Sequence, residues 1–326
     1  MKQKKTMVLW GGNWTRNIGD AFIDLGSVYS LNQASESNVI LSSFVPSWFL
    51  SRGLISYPEQ VLSGAIIDKT RNLLDVKGII NSDYIIMSGV RLTEDWWKRC
   101  FFDKKLQFAK KDTKIIINGG GGLKYSREEF EKVREYLEKI NLYAFISRDK
   151  VVFKEYEGIA EHSFNGIDCA FFLNDCFDPP GLNISNYITL SFDGHLKEPK
   201  LNNEGKKIIR THHSCWSQSG LLRRIVFNRI YSKQGFNKEN TMISDLPQDY
   251  LTLYANTDET HSDRMHACIA TLIFGKPAKL YRDTNRALVL DRVNAQSVKT
   301  QLGCLNMKKI EKEKEHQIKF LSEILE

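Results

Sequence analysis

Residues 114–130, KIIINGGGGLKYSREEF, contain a short apolar run, four consecutive glycines and the start of a helix. The run KIIIN has the length and the β-branched content of a buried strand. Ser126 and Glu129 form a capping-box pattern, which is typical of a helix that begins directly after the serine. A strand that leads through glycines into a helix is the repeating unit of an α/β protein with a parallel sheet.

Apolar runs of the same kind recur along the chain and alternate with helical stretches. They lie at residues 6–10, 39–44, 84–87 and 142–147, and again at 187–192, 207–210 and 278–281. Between the two groups, residues 174–186 (NDCFDPPGLNISN) have the Pro, Gly and Asn content of a linker. We therefore predict an α/β chain with mostly parallel sheets, built as two Rossmann-like domains that face each other across a cleft.

The linker places the predicted boundary after residue 178, with an N-terminal domain at 1–178 and a C-terminal domain at 179–326. A chain of 326 residues fits two domains of about 150 residues each. Residues 307–326 form a charged helix whose apolar stripe contains Ile318, Leu321 and Leu325. This helix is a candidate to pack back on the first domain.

The composition argues against several classes of protein. The six cysteines include no CxxC pair, and adjacent His212 and His213 lack further ligands at metal spacing, so we predict neither a metal site nor a disulfide framework. No apolar run reaches the ~18 residues of a membrane span, and the N-terminal apolar part is too short for a signal peptide. The net charge of +7 suits an anionic substrate or an anionic membrane face, and no nucleic-acid-binding motif is present. We expect a cytoplasmic protein whose membrane contact, at the inner face, would be peripheral.

Residues 261–277, HSDRMHACIATLIFGKP, combine an apolar helix with polar groups at its start. Asp263 or Ser262 is the predicted N-cap, and the Gly-x-Pro sequence ends the helix. Arg264 and His266 would then lie beside the free N–H groups and the positive dipole end of the first turn. Such a group can hold an anion and move a proton. The alternative is an arginine and a histidine that cover the helix start in solvent.

Three further motifs follow strands of the first domain, at the edge where α/β sheets bind ligands. The glycine run either brings backbone close to a ligand or forms a structural turn, and its spacing fits neither a dinucleotide fingerprint nor a P-loop. In NIGDAFI (17–23), Asp20 either accepts hydrogen bonds from sugar hydroxyls or complements the helix dipole. In AFISRDK (144–150), Arg148 suits a carboxylate or phosphate, unless it pairs locally with Asp149.

Five motifs in this order resemble those of the polysaccharide pyruvyl transferase family, over about residues 8–281. They are NIGDAFI, NGGGGL, AFISRDK, GIDCAFFL (166–173) and DRMHACIATLIFGKPA (263–278). The family's signatures are a Gly-Asp helix start, a Gly-rich loop, a strand that ends in Arg-Asp, an Asp-containing strand and an Arg-Leu-His helix start. The resemblance implies a GT-B-like fold. It also implies transfer of pyruvate from phosphoenolpyruvate to two hydroxyls of a sugar, which forms a cyclic ketal on a cell-surface polysaccharide or its precursor. That precursor is either free or linked to undecaprenyl diphosphate.

The resemblance also implies a role for each candidate residue. His266 and Arg264 would be catalytic, with His266 as the proton donor. The donor would be bound by Arg148, Arg264, Met265 and His266, and the acceptor by Asn17, Asp20, Gly119, Gly120 and Gly121. This scheme requires no metal and no cofactor besides the donor substrate.

Two features depart from the family pattern. Met265 stands in place of the usual Leu, with similar volume. Residues 256–261, NTDETH, are polar where the family has an apolar strand, so we expect an edge strand or a rebuilt loop there. Two other functions stay open: a nucleotide-sugar-dependent glycosyltransferase on the same fold, and a non-catalytic protein that binds glycans or anions. The glycosyltransferase would need an acidic ribose ligand in the second domain. The non-catalytic binding protein would not need the Arg–His pair.

Overall fold

The computed structural model describes residues 4–11, 17–42, 80–102, 112–193, 196–213 and 238–325. Within these ranges the chain forms two parallel sheets covered by helices, as the alternation of apolar runs predicts. The second glycine of the turn after the first strand, Gly12, lies outside the described residues.

The first sheet has the strand order β2-β1-β3-β5-β6-β7, with β4 paired to β5, and all its pairs are parallel. Its elements are β1 (Lys5–Trp10), α1 (Ile18–Ala34), β2 (Ser37–Ser42), β3 (Tyr84–Ser88), β4 (Arg91–Leu92), α2 (Glu94–Phe102), β5 (Lys114–Gly122), α3 (Arg127–Leu137), β6 (Leu142–Ser147), α4 (Lys150–Tyr156) and β7 (His162–Asn165). A 3-10 helix (Cys169–Phe172) and the short α5 (Leu173–Cys176) follow. Because the strands are parallel, their carboxyl ends all lie at one edge.

The second sheet has the order β10-β9-β8-β11-β12, again with parallel pairs throughout. Its elements are β8 (Tyr187–Ser191), β9 (Lys207–Thr211), β10 (Thr241–Met242), α6 (Pro247–Asn256), β11 (Glu259–Ser262), α7 (Met265–Ile273) and β12 (Ala278–Leu280). Two 3-10 helices (Asn285–Leu290 and Gln296–Lys299) and α8 (Met307–Leu325) complete the described chain.

The polar strand β11 lies inside the second sheet, between β8 and β12, so the expectation of an edge strand or a rebuilt loop is wrong. Its polar side chains are accommodated because they bond to one another and to their neighbours. The two ring nitrogens of His261 lie 2.9 Å from the Tyr281 hydroxyl and 2.9 Å from Glu259 Oε1. Thr271 donates to Thr260 at 2.7 Å. Hydrogen bonds of this kind offset the cost of burying polar groups.

Two predictions about local structure in the first domain also differ from the structure. The glycines of residues 119–122 extend β5 rather than form a turn after it, because β4 pairs with them at Arg91–Gly121 and Leu92–Gly122. The segment 166–173 is not an Asp-containing strand. Asp168 instead caps the 3-10 helix by accepting a hydrogen bond of 3.0 Å from the Ala170 N–H.

Helix α8 packs on the first sheet, although it follows the second sheet in the chain. Leu321, Ile324 and Leu325 share a buried cluster with Met7 and Ile86 of the first sheet. Helices α1 and α7 belong to another buried cluster, so the two sheets are joined through a common apolar core. No described helix is both long and apolar enough to cross a membrane.

Candidate functional site

A cavity that is open to solvent lies where the N-terminal ends of α1 and α7 meet. Its wall consists of Asn17, His213, Asp263, Arg264, Met265, His266, Arg282, Thr284 and Arg286. Each of these residues follows the carboxyl end of a strand or lies in the first turn of the helix after it. The cavity therefore occupies the position at which parallel α/β sheets bind ligands.

The two helix starts approach each other closely. The N–H of Ile18 donates to the His213 carbonyl at 3.0 Å, and Arg264 Nη2 donates to Asn17 Oδ1 at 3.3 Å. A Cβ atom on Gly19 would lie 3.1 Å from both Cβ and Nδ1 of His266, so a larger residue would push the histidine away. Gly19 thus permits the contact that brings α1 to His266.

The predicted N-caps of α7 do not cap it. Arg264 occupies the N-cap position, and its side chain makes no capping hydrogen bond. Ser262 Oγ accepts from the Arg264 N–H at 2.8 Å, and the Asp263 carboxylate accepts from the Asp193 N–H at 3.3 Å. The first-turn amides of α7 have no carbonyl one turn earlier to donate to. Because Met265 and His266 line the cavity, this helix end offers N–H donors and a positive dipole to a bound anion.

Arg148 is not part of the cavity wall. It is 3% exposed, and its Nη1 lies 2.8 Å from Asp168 Oδ2, so its partner is not the neighbouring Asp149. Asp149 Oδ1 instead caps α4 by accepting from the Val152 N–H at 2.8 Å. Arg148 therefore forms a buried ion pair with Asp168, in another part of the fold, and not the expected local pair with Asp149.

The same Asp168 oxygen lies 3.4 Å from His266 Nε2, so Arg148, Asp168 and His266 form a buried row. Burial alone would raise the pKa of Asp168, but Arg148 and His266 outweigh it and hold that pKa well below its usual range. Burial lowers the pKa of His266, and Asp168 only partly opposes this. His266 is therefore neutral at pH 7, and its ring is oriented by a carboxylate that stays ionised.

Arg264 is likewise held by a buried carboxylate. Its Nε lies 2.7 Å from Asp193 Oδ2, and His212 Nδ1 lies 3.5 Å from Asp193 Oδ1. Arg286 and Arg148 are the arginines that lower the pKa of His266. Among the described residues, no group of three or more His, Cys, Asp or Glu is arranged to hold a metal ion.

Arg282 and Arg286 were missed by the sequence analysis. In the part of the chain that the structure describes, neither has a carboxylate within salt-bridge distance. Burial and the nearby guanidinium groups of Arg148 and Arg91 lower the pKa of Arg286 to about 9. The Asp20 carboxylate raises the pKa of Arg286 and only partly offsets these effects. The position of Arg282 and Arg286 directly after β12 was the available signal, since the same edge carries the other candidates. The cavity thus contains positive charge that no described carboxylate pairs with at salt-bridge distance.

The predicted acceptor residues lie in different environments. Asn17 lines the cavity, and its Nδ2 donates to Asp20 Oδ1 at 2.6 Å. The predicted glycines are buried within β5, and Gly119 has a positive φ of 81°. A Cβ atom on Gly121 would collide with Arg148 Nε, so this glycine makes room for the buried ion pair. The contact of Asp20 and of Gly119, Gly120 and Gly121 with an acceptor stays a prediction.

Helix α8 supports the segment that carries Asp168. Gln317 is fully buried, and its Oε1 accepts a hydrogen bond of 2.8 Å from the backbone N–H of Ile167. Its Nε2 donates to Asn118 Oδ1 at 3.4 Å. A Cβ atom on Gly166 would collide with Gln317 Oε1, so the strand end and the helix fit together only with glycine at this position.

Replacing Gln317 with Leu should lower the free energy of unfolding by about 2 kcal/mol, because the buried Ile167 N–H would lose its acceptor. Urea denaturation followed by circular dichroism measures this change. His316→Leu places the same side chain at an exposed position of α8 and should have little effect. Equal stabilities of the two variants would show that the Gln317 hydrogen bonds do not hold α8 on the first sheet.

The comparisons with known proteins agree with this architecture. The sequence profile described as polysaccharide pyruvyl transferase matches residues 17–278. No curated protein matches the chain significantly in sequence. Among solved structures, the S. aureus MnaA–UDP complex is 14% identical, with a TM-score of 0.52, and the match covers 98% of this chain and 91% of that one. A putative UDP-N-acetylglucosamine 2-epimerase from Listeria monocytogenes is 12% identical, with a TM-score of 0.49, covering 99% and 91% of the two chains. The likeness to MnaA confirms the predicted GT-B-like pair of Rossmann-like domains and shows the fold alone.

Proposed function

This chain belongs to the polysaccharide pyruvyl transferase family, and we propose that it moves pyruvate from phosphoenolpyruvate to two hydroxyls of a sugar, forming a cyclic ketal. One observation carries this proposal. Two arginines without described carboxylate partners, Arg282 and Arg286, line the same cavity as a buried neutral histidine that is oriented by an ionised carboxylate. This arrangement suits a small anion with several charges that must receive a proton.

Phosphoenolpyruvate carries a phosphate and a carboxylate, so it needs two neighbouring anion sites. Arg282 and Arg286 supply charge for one group, and their planar guanidinium groups suit either oxyanion. The first-turn amides of α7 supply donors for the other. Arg264 is neutralised by Asp193, so in this proposal it contributes directed N–H donors more than net charge.

His266 would deliver the proton to the methylene carbon of the donor. The negative charge of the bound donor would favour the imidazolium form of His266. Asp168 would stabilise that form through its contact with Nε2 of the ring. Protonation makes the adjacent carbon oxocarbenium-like. One sugar hydroxyl attacks that carbon, and the second displaces phosphate to close the ring. Protonation of His266 is thus coupled to donor binding.

Arg148 has a different role in this proposal from the one expected of it. Because it is buried against Asp168, it acts as a positioning residue that keeps this carboxylate ionised beside His266. The sugar would enter from the first-domain side, near Asn17 and Asp20. We propose two sources of the acceptor. One is a free sugar, and the other is a precursor linked to undecaprenyl diphosphate at the cytoplasmic face of a membrane.

A thermal-shift experiment tests the choice of donor. Phosphoenolpyruvate at about 100 times its Kd should stabilise the folded chain by about 2.7 kcal/mol, or roughly 5 °C in Tm for a chain of this size. Arg286→Gln should abolish most of this shift. Arg292→Gln is a matched control, because Arg292 pairs with Glu313 at 2.8 Å and is not part of the cavity wall.

The same experiment separates the competing functions. Protection by UDP-N-acetylglucosamine and not by phosphoenolpyruvate would favour a nucleotide-sugar glycosyltransferase. Protection by phosphoenolpyruvate without phosphate release, with every glycoside tried as acceptor, would favour a non-catalytic anion-binding protein. Phosphate release together with a product heavier by one pyruvylidene group would establish the proposed reaction.

A further inference from the structure

A second histidine of the cavity wall, His213, has a ring nitrogen to which no described residue is hydrogen-bonded. His213 follows β9 and is only 4% exposed. Its Nε2 lies 2.7 Å from the Tyr254 hydroxyl, which in turn lies 3.0 Å from the Thr211 hydroxyl. Its Nδ1 is buried and has no hydrogen-bond partner among the described residues. Buried polar atoms are nearly always paired, so an unpaired one in a cavity wall indicates a ligand.

His213 and His266 flank the same turn of α1. The His213 carbonyl accepts from the Ile18 N–H at 3.0 Å, and the Cβ position of Gly19 lies 3.1 Å from His266 Nδ1. Asn17, in the same turn, lines the cavity as well. A substrate that lies against this turn is therefore bordered by two histidines from different loops.

We propose that Nδ1 of His213 accepts the proton of the sugar hydroxyl that attacks the donor. This inference rests on the proposed function and gives the acceptor a base of its own. His266 serves as the acid of the reaction, and a base beside the attacking hydroxyl assists its attack. His213 lies in the wall of the same cavity with an unpaired Nδ1 among the described residues, so it can supply that base.

The proton balance of the reaction closes with these two histidines. His266 gives one proton to the methylene carbon, which becomes a methyl group. The first hydroxyl oxygen bonds to the adjacent carbon, and its proton passes to His213. The second hydroxyl oxygen bonds to that carbon as its bond to the phosphate oxygen breaks. The electron pair of that bond leaves with the phosphate, which takes the second hydroxyl proton. Exchange with solvent then returns a proton to His266 and removes one from His213.

The surroundings of His213 keep it unprotonated before the reaction. Burial, reinforced by Arg264 and only partly opposed by Asp193, lowers the pKa of His213 to about 3. A weak base suffices, because a hydroxyl that is bonding to an oxocarbenium-like carbon becomes strongly acidic. When Nε2–H donates to Tyr254 and the Tyr254 hydroxyl donates to Thr211, Nδ1 keeps its lone pair free.

The tautomer of His213 can be measured without any acceptor. Long-range ¹H–¹⁵N correlation spectra distinguish protonated from unprotonated imidazole nitrogens, and the chain has only seven histidines. The signal that disappears in His213→Gln identifies the residue. We expect a neutral ring at pH 7 with the proton on Nε2. A proton on Nδ1 would overturn the inference, because that nitrogen could not accept another.

Kinetics test the role itself, with phosphate release from phosphoenolpyruvate and p-nitrophenyl glycosides of galactose, glucose and N-acetylglucosamine as acceptors. His213→Gln and His213→Asn should each lower turnover by roughly 10²-fold, while the Tm shift given by phosphoenolpyruvate is unchanged. His162→Gln is the matched control, since His162 lies on β7 against Tyr143 and outside the cavity wall. Turnover close to wild type in either His213 variant would overturn the inference. A wild-type chain that neither binds phosphoenolpyruvate nor releases phosphate would overturn the proposed function, and this inference with it.

Discussion

His266→Gln should lower turnover by roughly 10²-fold or more, while the fold and most of the donor affinity are retained. The glutamine amide can still bond to Asp168, which lies 3.4 Å from His266 Nε2 in the native chain, but it cannot donate a proton to carbon. Donor affinity should persist because Arg282, Arg286 and the first-turn amides of α7 are unchanged. Phosphate release and the phosphoenolpyruvate-induced Tm shift measure the two effects separately.

An isotope experiment reports on the proton transfer directly. In deuterated buffer the wild-type reaction should place one solvent deuteron in the methyl group of the product. His316→Gln, at an exposed position of α8, serves as the control for the substitution itself. Near-normal turnover of His266→Gln would remove this histidine from the mechanism, and a product methyl group without solvent label would remove the proton-transfer step.

Asp168→Asn should lower the free energy of unfolding by about 3–5 kcal/mol at neutral pH, because it leaves the buried charge of Arg148 without its partner. Turnover should also fall by roughly 10²-fold, since the imidazolium form of His266 loses the carboxylate that stabilises it. Urea denaturation at pH 7 measures the first effect, and phosphate release measures the second. Glu128→Gln removes an exposed ion pair with Lys132 and should leave stability unchanged within error.

The stability difference between wild type and Asp168→Asn should depend on pH in a defined direction. The pKa of Asp168 is lower in the folded chain than in the unfolded chain, so the ion pair contributes fully above the unfolded value of about 4. Its contribution should decrease as the pH falls below that value toward the lower folded pKa. The double variant Arg148→Met/Asp168→Asn should recover much of the lost stability, because it leaves no unpaired buried charge. A loss that is the same at every pH would show that the effect is not electrostatic.

The alternation of apolar runs was sufficient to predict both parallel sheets. The buried face of a helix or strand is set by residues that are close together in the sequence. The spacing of apolar residues along the chain therefore indicates that face directly. The rule that parallel strands share a carboxyl edge then groups the residues that follow them. Asn17, Arg264, Met265 and His266 do line one cavity at that edge.

The pairing of charged side chains was decided by the tertiary structure. Arg148 bonds to Asp168, 20 residues away, rather than to Asp149, because the neighbouring aspartate is used to cap a helix. The sequence predicts either a ligand contact or a turn for the glycine run, and in the structure Gly121 makes room for that same arginine. Neither outcome follows from spacing along the chain.

The sequence by itself determined the two-sheet fold, the edge that carries the candidate site and the histidine at the start of α7. Only the tertiary structure decided which groups surround that histidine. They are Asp168 at 98 residues' separation, Arg286, and His213, whose Nδ1 has no hydrogen-bond partner among the described residues. The physical reason is that a hydrophobic pattern is local, whereas the charge state of a buried group depends on burial and on its distance from charges elsewhere in the chain.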